Sequence, residues 1–253
     1  MIGTNRMTTI VVIPTYNEAE NLPHLAGALL ALPIEELSLL VVDDNSPDGT
    51  GRVADELASQ YPQQVAVLHR LEGRGFGRAY IEGFKHALAN GAQAVAQMDA
   101  DLSHPPELLP ALMETLPGCD IALGSRYVPG GSVDRHWPAW RKGLSAFGNF
   151  YARTILGLPV RDVTGGYRVW RSEALKCVPL ERVRSNGYSF LIETLYLAHR
   201  LGFTVKEVPF YFADRRFGQS KMSLPVQREA ALRVWQMRFE YRDLHKLHLD
   251  CPE

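Results

Sequence analysis

Cysteine is scarce in this sequence: only Cys119, Cys177 and Cys251 stand in 253 residues. They are odd in number, far apart and without a CxxC pair. That spacing argues against a zinc site and against a disulfide framework, and it predicts a reducing compartment. No apolar run approaches the roughly eighteen residues that a membrane span needs. The opening MIGTNRMTT lacks the hydrophobic region of a secretion signal, so a cytoplasmic location is expected. Neither sign of charge is in excess, since 27 Lys and Arg stand against 28 Asp and Glu. A formal net charge of −1 provides no global field for a phosphate backbone, and no nucleic-acid partner is expected. The chain has no internal repeat, low-complexity tract or evident linker. With 46% hydrophobic and 22% charged residues, it has the balance of a soluble globular protein large enough for one sizeable core.

The first half alternates short apolar runs with longer amphipathic stretches. Residues 9–14, 37–44, 65–70, 94–101 and 120–126 read as strands: nearly continuous in apolar character and closed by turn residues, as strands covered on both faces are. Helical patterns lie between them at 20–32, 50–61, 77–90 and 106–116. Asp48 and Thr50 are capping candidates, and Pro105 and Pro106 open the fourth helix. Repeated βα units predict an α/β fold with a mostly parallel sheet, and in such sheets ligands bind at the carboxyl ends of the strands. Polar residues accumulate at those ends: Pro14 to Glu18, Asp43 and Asp44, Asp99 and Asp101, Ser125 and Arg126. Beyond residue 130 the rhythm changes to a Gly/Pro/Trp-rich loop, helices near 141–156 and 189–201, a strand-like TVKEVPFYF, and a long helix over 225–247. The long helix has Val226, Ala230, Val234, Met237, Tyr241 and Leu244 at spacings of three and four, with Arg228, Arg233, Arg238, Arg242 and Lys246 on its other faces.

Several constellations could carry chemistry. In QMDADLSHPP, two carboxylates one residue apart repel unless a cation or strong hydrogen bonds hold them. Asp99 and Asp101 either share a divalent Mg²⁺ or Mn²⁺ with a diphosphate, or are solvated carboxylates beside a helix start. In VVDDNSPDGT, Asp43 either accepts hydrogen bonds from a nucleoside or belongs to a capped turn. In IPTYNEAENL, Tyr16 could cover a base while Asn17 and Glu18 bond it, or the stretch is an acidic helix start. GRGFGRA does not fit G-x-G-x-x-G and follows the third strand, which argues against a dinucleotide cofactor. Arg141, Ser145 and Asn149 recur every four residues, one helical face suited to a phosphate or simply to solvent. RFGQSK reads as a loop able to close over a diphosphate, or as a surface turn.

In this order and spacing, VVIPTYNEAENL, VVDDNSPDGT, GRGFGRAYIEGF, QMDADLSHPP, GSRYVPGG, DVTGGYRVWR and DRRFGQSKMS resemble the family-2 glycosyltransferases. Among these the chain is similar to the dolichol-phosphate (polyprenol-phosphate) mannosyltransferases, from about residue 9 to residue 223. The resemblance implies a GT-A, Rossmann-like nucleotide-sugar fold over 1–224, with 225–253 an amphipathic helix and tail that packs, dimerises or touches membrane. It implies a GDP-mannose donor, a Mg²⁺ or Mn²⁺ cofactor and a polyprenyl phosphate acceptor, with inversion at the anomeric carbon. Carried over by residue, Pro14, Tyr16, Glu18 and Asp43 hold the nucleoside, and Asp99 and Asp101 the metal. Arg126, Arg141 and Ser145 hold the acceptor phosphate, with Arg126 in the catalytic set, while Arg216 and Lys221 hold the donor diphosphate. Ser103 stands where some relatives have a Gln ligand and others a Ser, so it is ligand, support or bystander. Arg78 departs from the small hydroxyl residue of many relatives. Other readings are another sugar or a non-lipid acceptor, or a non-catalytic nucleotide-sugar-binding subunit. The expected setting is the cytoplasmic face of a membrane, peripherally, alone, as a homodimer or with a membrane-protein partner.

Overall fold

The computed structural model of the protein describes residues 7–213 and 224–244, with backbone alone for 224–229. Strands β1 (Thr9–Thr15), β2 (Leu37–Asp43), β3 (Val65–His69) and β4 (Ala94–Gln97) alternate with helices α1 (Leu22–Leu30), α2 (Thr50–Gln60) and α3 (Phe76–Ala89). After β4 come a 3₁₀ turn at Pro106–Leu108, α4 (Leu109–Thr115), β5 (Ile121–Ser125), the short β6 (Ser132–Val133) and α5 (Ala139–Leu156). The chain continues through β7 (Arg168–Arg171), α6 (Ser172–Cys177), α7 (Ser189–Leu201), β8 (Val205–Pro209), β9 (Tyr211–Phe212) and α8 (Leu224–Glu240).

The main sheet has the order β3-β2-β1-β4-β7-β5-β8, and β6 pairs with β9 apart from it. All its neighbours are parallel except β7, which runs antiparallel between β4 and β5. Six strands therefore finish at one edge. The near-continuous apolar runs follow from burial on both faces. On one face Val12, Val42, Val95 and Leu123 meet α3, α5, α6, α7 and α8; on the other Val11, Ile13, Val41 and Ala96 meet α1, α2 and α4. Gly83 is where α3 rests directly on β1, since a Cβ there would lie 2.4 Å from the Val12 side chain.

Three expectations change. The strand predicted over 94–101 stops at Gln97, because residues 98–104 turn, with Leu102 at φ +61°. The fourth helix begins as a 3₁₀ turn and is regular only from Leu109. Cys177 is disulfide-bonded, against the expectation of no disulfide, while Cys119 is buried and free.

Helix α8 packs on α5 and α7. Its predicted stripe faces the core, with Val234, Met237 and Tyr241 all but inaccessible. Arg233, placed by the pattern off the apolar stripe, is nonetheless buried beside Glu193 of α7 at hydrogen-bond distance, and Glu193 also accepts from the Tyr241 hydroxyl. The remaining Glu193 bonds come from the backbone amides of Arg184 (3.2 Å) and Ser185 (2.8 Å). Burial alone would raise the Glu193 carboxyl, but Ser185, Tyr241 and Arg233 more than reverse this and hold it below the usual carboxylate range. The outer face of α8 is apolar as well: Leu232, Trp235 and Phe239 are exposed, so the helix is not simply amphipathic.

Candidate active site

The site is built from the loops that follow the parallel strands. After β2, the buried Asp43 accepts from the Thr15 hydroxyl (3.1 Å) and from the hydroxyl (2.6 Å) and amide (3.1 Å) of Ser46. It therefore ties the ends of β1 and β2 to the following turn. Asp48 accepts from the amide and hydroxyl of Thr50, but the cap position of α2 is taken by Gly49, at φ +92°, and not by either predicted candidate. Asp44 pairs with Arg70 and accepts from the Gly75 amide (2.9 Å). Arg70 also donates to the Gly73 carbonyl and to Glu82, which fixes the 70–75 loop.

Tyr16 stands under that loop. The Arg74 guanidinium lies 4.7 Å over its ring, Nη1 donates to the Tyr16 hydroxyl and Nη2 to the Asn45 carbonyl. Glu18 accepts from Asn21 (2.7 Å), and Pro14 pairs in register with Val42. The glycines of GRGFGRA serve close approach rather than a dinucleotide. Gly75 sits at φ +151°, and a Cβ there would strike the Asn186 side chain. Asn186 in turn donates to the Arg74 carbonyl and accepts from the Arg78 amide.

Past β4 the two carboxylates lie on a turn, each with its own support. The wholly buried Tyr80 of α3 donates its hydroxyl to Asp99 (2.9 Å). The Asp99 amide donates to His104 Nδ1 (3.1 Å), which puts the imidazole proton on Nε2. Burial pushes His104 below its ordinary value, consistent with that neutral ring. Burial, then the Asp99 and Asp101 charges, push the Tyr80 hydroxyl well up, so it remains a donor. Asp101 Oδ1 accepts from the hydroxyl (2.6 Å) and amide (3.1 Å) of Ser103. Ser103 is thus a support of Asp101 as the residues stand.

The acceptor-side expectations resolve into one hydrogen-bonded network. Arg126, at the end of β5, forms a bidentate pair with the fully buried Asp162, Nε to Oδ2 and Nη2 to Oδ1, both 2.7 Å. Burial alone would lower the guanidinium, but Asp162 raises it. Arg126 also donates to Thr164, and Thr164 bonds Asn149 of α5. Asn149 Nδ2 reaches the Ser145 carbonyl, while the Ser145 hydroxyl accepts from Tyr127 (2.7 Å). Arg141 stands one turn earlier, 3.7 Å over the Trp137 ring. The 162–166 segment joins this network to the carboxylates: a Cβ on Gly166 would lie 3.2 Å from His104 and 3.6 Å from Asp99 Oδ2. Arg168 supports that segment from below by donating to the Gly165 and Val163 carbonyls, its guanidinium lowered to about 10 by burial.

The structure therefore brings Tyr16, Asp43, Asp99, Asp101 and Arg126 to one sheet edge, with Ser145 and Arg141 beside it on α5. Arg216 and Lys221 lie outside the described residues. Among the described residues no group of three or more His, Cys, Asp or Glu could by itself hold a metal ion. Two hard carboxylates fit a divalent ion that takes its other oxygens from a diphosphate and water. Tyr80, His104, Arg74, Asp162 and Asn186 were missed by sequence reasoning. Their partners are distant in the chain, and only His104, placed directly after the acidic pair, carried a local hint.

The sequence profile described as "Glycosyl transferase family 2" matches residues 10–178. The chain belongs to glycosyl transferase family 2. This glycosyltransferase is 48% identical, over 91% of its own length and 87% of the relative's, to the polyprenol monophosphomannose synthase of Mycolicibacterium smegmatis. It is 45% identical to the undecaprenyl-phosphate mannosyltransferase of Micrococcus luteus, over 90% and 93% of the two chains. Its fold is that of GT-A glycosyltransferases. A solved example is the glucosyl-3-phosphoglycerate synthase of Mycobacterium tuberculosis, crystallised with Mn²⁺ and uridine diphosphate. The TM-score is 0.63 at 18% identity, covering 94% of this glycosyltransferase and 81% of that chain.

Proposed function

We propose that this glycosyltransferase moves mannose from GDP-mannose to a polyprenyl monophosphate, with inversion, using Mg²⁺ or Mn²⁺. The observation that carries the reading is the turn after β4. There Asp99 and Asp101 are each held by buried donors on the edge shared with the Tyr16 loop and the Arg126 network. Two relatives at 45–48% identity are named for mannose transfer to polyprenyl phosphates, which supports the choice of sugar and acceptor.

In this reading Asp99 and Asp101 hold the metal, with Ser103 orienting Asp101. The ion would neutralise charge on the departing diphosphate. Pro14, Tyr16, Glu18 and Asp43 form the nucleoside end, where Asp43 contributes mainly by fixing the turn around Ser46. Arg141, Ser145 and Arg126 bind the acceptor phosphate, and binding of the donor diphosphate is assigned to Arg216 and Lys221, which lie outside the described residues. Arg126 shares its charge with Asp162, and Arg141 adds a second cation on the acceptor side. The acceptor phosphate is already anionic, so no strong general base is required. What the residues must do is bring two anions together and orient the attack opposite the leaving group.

Residues 1–224 are the catalytic unit, and 225–253 carry all but the first residue of α8 and the tail. The setting is peripheral, at the cytoplasmic face of a membrane, as a monomer, a homodimer or beside a membrane protein. No helix among the described residues is long and apolar enough to cross a membrane.

The test is incubation with a panel of radiolabelled nucleotide sugars, polyprenyl phosphate and Mn²⁺, followed by organic extraction. Label should enter the lipid phase from GDP-mannose and be lost with chelator or in Asp101→Ala. Label entering from another nucleotide sugar instead, or near-normal transfer by Asp101→Ala, would sink the reading.

A further inference from the structure

Between α6 and α7 the chain passes Arg184, Ser185 and Asn186, which meet the 70–78 loop on one side and the α7–α8 contact on the other. Toward the loop, Asn186 Nδ2 donates to the Arg74 carbonyl (3.1 Å) and Oδ1 accepts from the Arg78 amide (3.3 Å). The Asn186 carbonyl accepts from the Gly77 amide (3.1 Å). Two glycines make room for this approach. A Cβ on Gly75 would lie 2.0 Å from the Asn186 amide group, and one on Gly77 would lie 2.7 Å from the Ser185 carbonyl oxygen. Phe76, between them, turns its ring toward Tyr188 (5.9 Å between centroids). On the other side, the amides of Arg184 and Ser185 donate to Glu193 of α7. From α8, Arg233 Nε donates to the Ser185 hydroxyl (3.2 Å), and Glu240 pairs with Arg184 (3.1 Å).

We propose that residues 184–186 form a strap that sets the 70–78 loop for the donor nucleoside. Asn186 is its positioning residue, and α8 tightens it through Arg233 and Glu240. The inference rests on the nucleoside end assigned above to Tyr16. Arg74 joins the strap to that end, since its guanidinium stands 4.7 Å over the Tyr16 ring and donates to the Asn45 carbonyl. The backbone around Arg74 is held at three consecutive residues. The Gly73 carbonyl accepts from Arg70, the Arg74 carbonyl accepts from Asn186, and the Gly75 amide donates to Asp44. Arg70 and Asp44 follow β3 and β2, so they belong to the same half of the chain as the loop. Asn186 comes from 112 residues beyond Arg74 and ties the loop to the second half of the molecule.

The chemistry of the side chain fits this task. An amide offers a donor and an acceptor on one rigid group, and here each meets a backbone atom on either side of the start of α3. Both the loop and the first turn of the helix are thereby fixed. A ligand whose competent loop conformation is populated only part of the time binds more weakly by that fraction, so a held loop favours the nucleotide. Among the described residues Asn186 makes no bond to α5 or to the 162–166 segment. The acceptor end is therefore independent of it.

Calorimetric titration of the full chain with GDP and Mg²⁺, and separately with farnesyl phosphate, tests the strap. Asn186→Ala should weaken GDP about tenfold, the net worth of roughly one hydrogen bond. Its affinity for farnesyl phosphate and its melting curve should match the parent, and in turnover the donor KM should rise while kcat holds. Glu240→Ala should weaken GDP about threefold, in keeping with a partly exposed ion pair, and add nothing further once Asn186 is replaced. Asn90→Ala, at the far end of α3, should leave GDP binding unchanged. Equal GDP affinity in the parent and Asn186→Ala overturns the proposal. So does an equal loss for GDP and farnesyl phosphate, which marks general loosening. Additive effects of the Asn186 and Glu240 substitutions overturn the link to α8. A parent that binds UDP in place of GDP overturns only the donor assigned above, and the same variants are then titrated with UDP. A parent that binds neither nucleotide overturns both readings.

Discussion

At the scale of single residues, the acidic turn shows how a carboxylate pair is kept ready. Tyr80 gives Asp99 a hydrogen bond from a hydroxyl that cannot ionise near neutral pH, and its ring is stacked on Phe190 (5.7 Å between centroids). A hydrogen bond to a charged group is worth roughly 1.5–3 kcal/mol. Tyr80→Phe should therefore lower turnover about tenfold or more, since 1.4 kcal/mol is a factor of ten. Steady-state kinetics beside a melting curve would check this, and unchanged turnover would remove Tyr80 from the site. Arg126 makes the opposite case. It was read as a catalytic cation, but its partner Asp162 is fully buried. Arg126→Ala leaves that charge alone and should destabilise the fold by about 3–5 kcal/mol. Equilibrium denaturation tests this; unchanged stability would show that the Asp162 pair does not anchor the end of β5. The sequence exposed both residue types but not this difference. Asp162 is 36 residues away and no spacing rule joins them.

At the scale of elements, most of the βα half was legible. Its strands are short, β-branched and closed by turn residues, and its helices start at Thr50 and Phe76 much as the pattern predicts. The second half was less so. β7 is a four-residue strand at the end of DVTGGYRVWR that runs against its neighbours, and nothing in its composition gives direction. Periodicity picked out the row of α8 that faces inward but not the second, exposed row of Leu232, Trp235 and Phe239. The attachment of α8 carries a pH dependence through Glu193. Its folded-state pKa lies below the ordinary value of 4.5, so the unfolded chain takes up the proton first. The stabilisation is complete above about pH 4.5 and is lost as pH falls through the lower folded value. Glu193→Gln should remove this part of the acid-side slope in denaturation series between pH 3 and 6, windows chosen to bracket that value. An unchanged slope would show that the Arg233 link does not hold the helix.

At the scale of the whole molecule, the C-terminal helix cannot be treated as a detachable appendage. Val234, Met237 and Tyr241 complete the core on the α7 side. Full burial of such side chains is worth roughly 1.5–3 kcal/mol each, against a total stability of about 5–15 kcal/mol. A chain ending at residue 223 should be insoluble or lack a cooperative melt, as calorimetry would show; a sharp transition near that of the parent would contradict the packing. Truncation is thus a poor probe of membrane contact, and substitutions on the outer face are the right one. The site, by contrast, emerges only at this scale. Motifs dispersed from residue 14 to residue 166 meet because six strands end at one edge, and the insertion of β7 between β4 and β5 delivers Gly166 to Asp99.

The two-sided α5 also fixes how this enzyme can change in length. A residue inserted after Ser145 would turn everything beyond it by about 100°. Asn149 would leave Thr164, and the exposed Phe150 would leave the outer face it shares with the exposed Phe147. Restoring both sides at once needs whole turns, in steps near four, seven or eleven residues. Helix α5 should therefore tolerate exchange of its outer side chains far more readily than any single insertion or deletion.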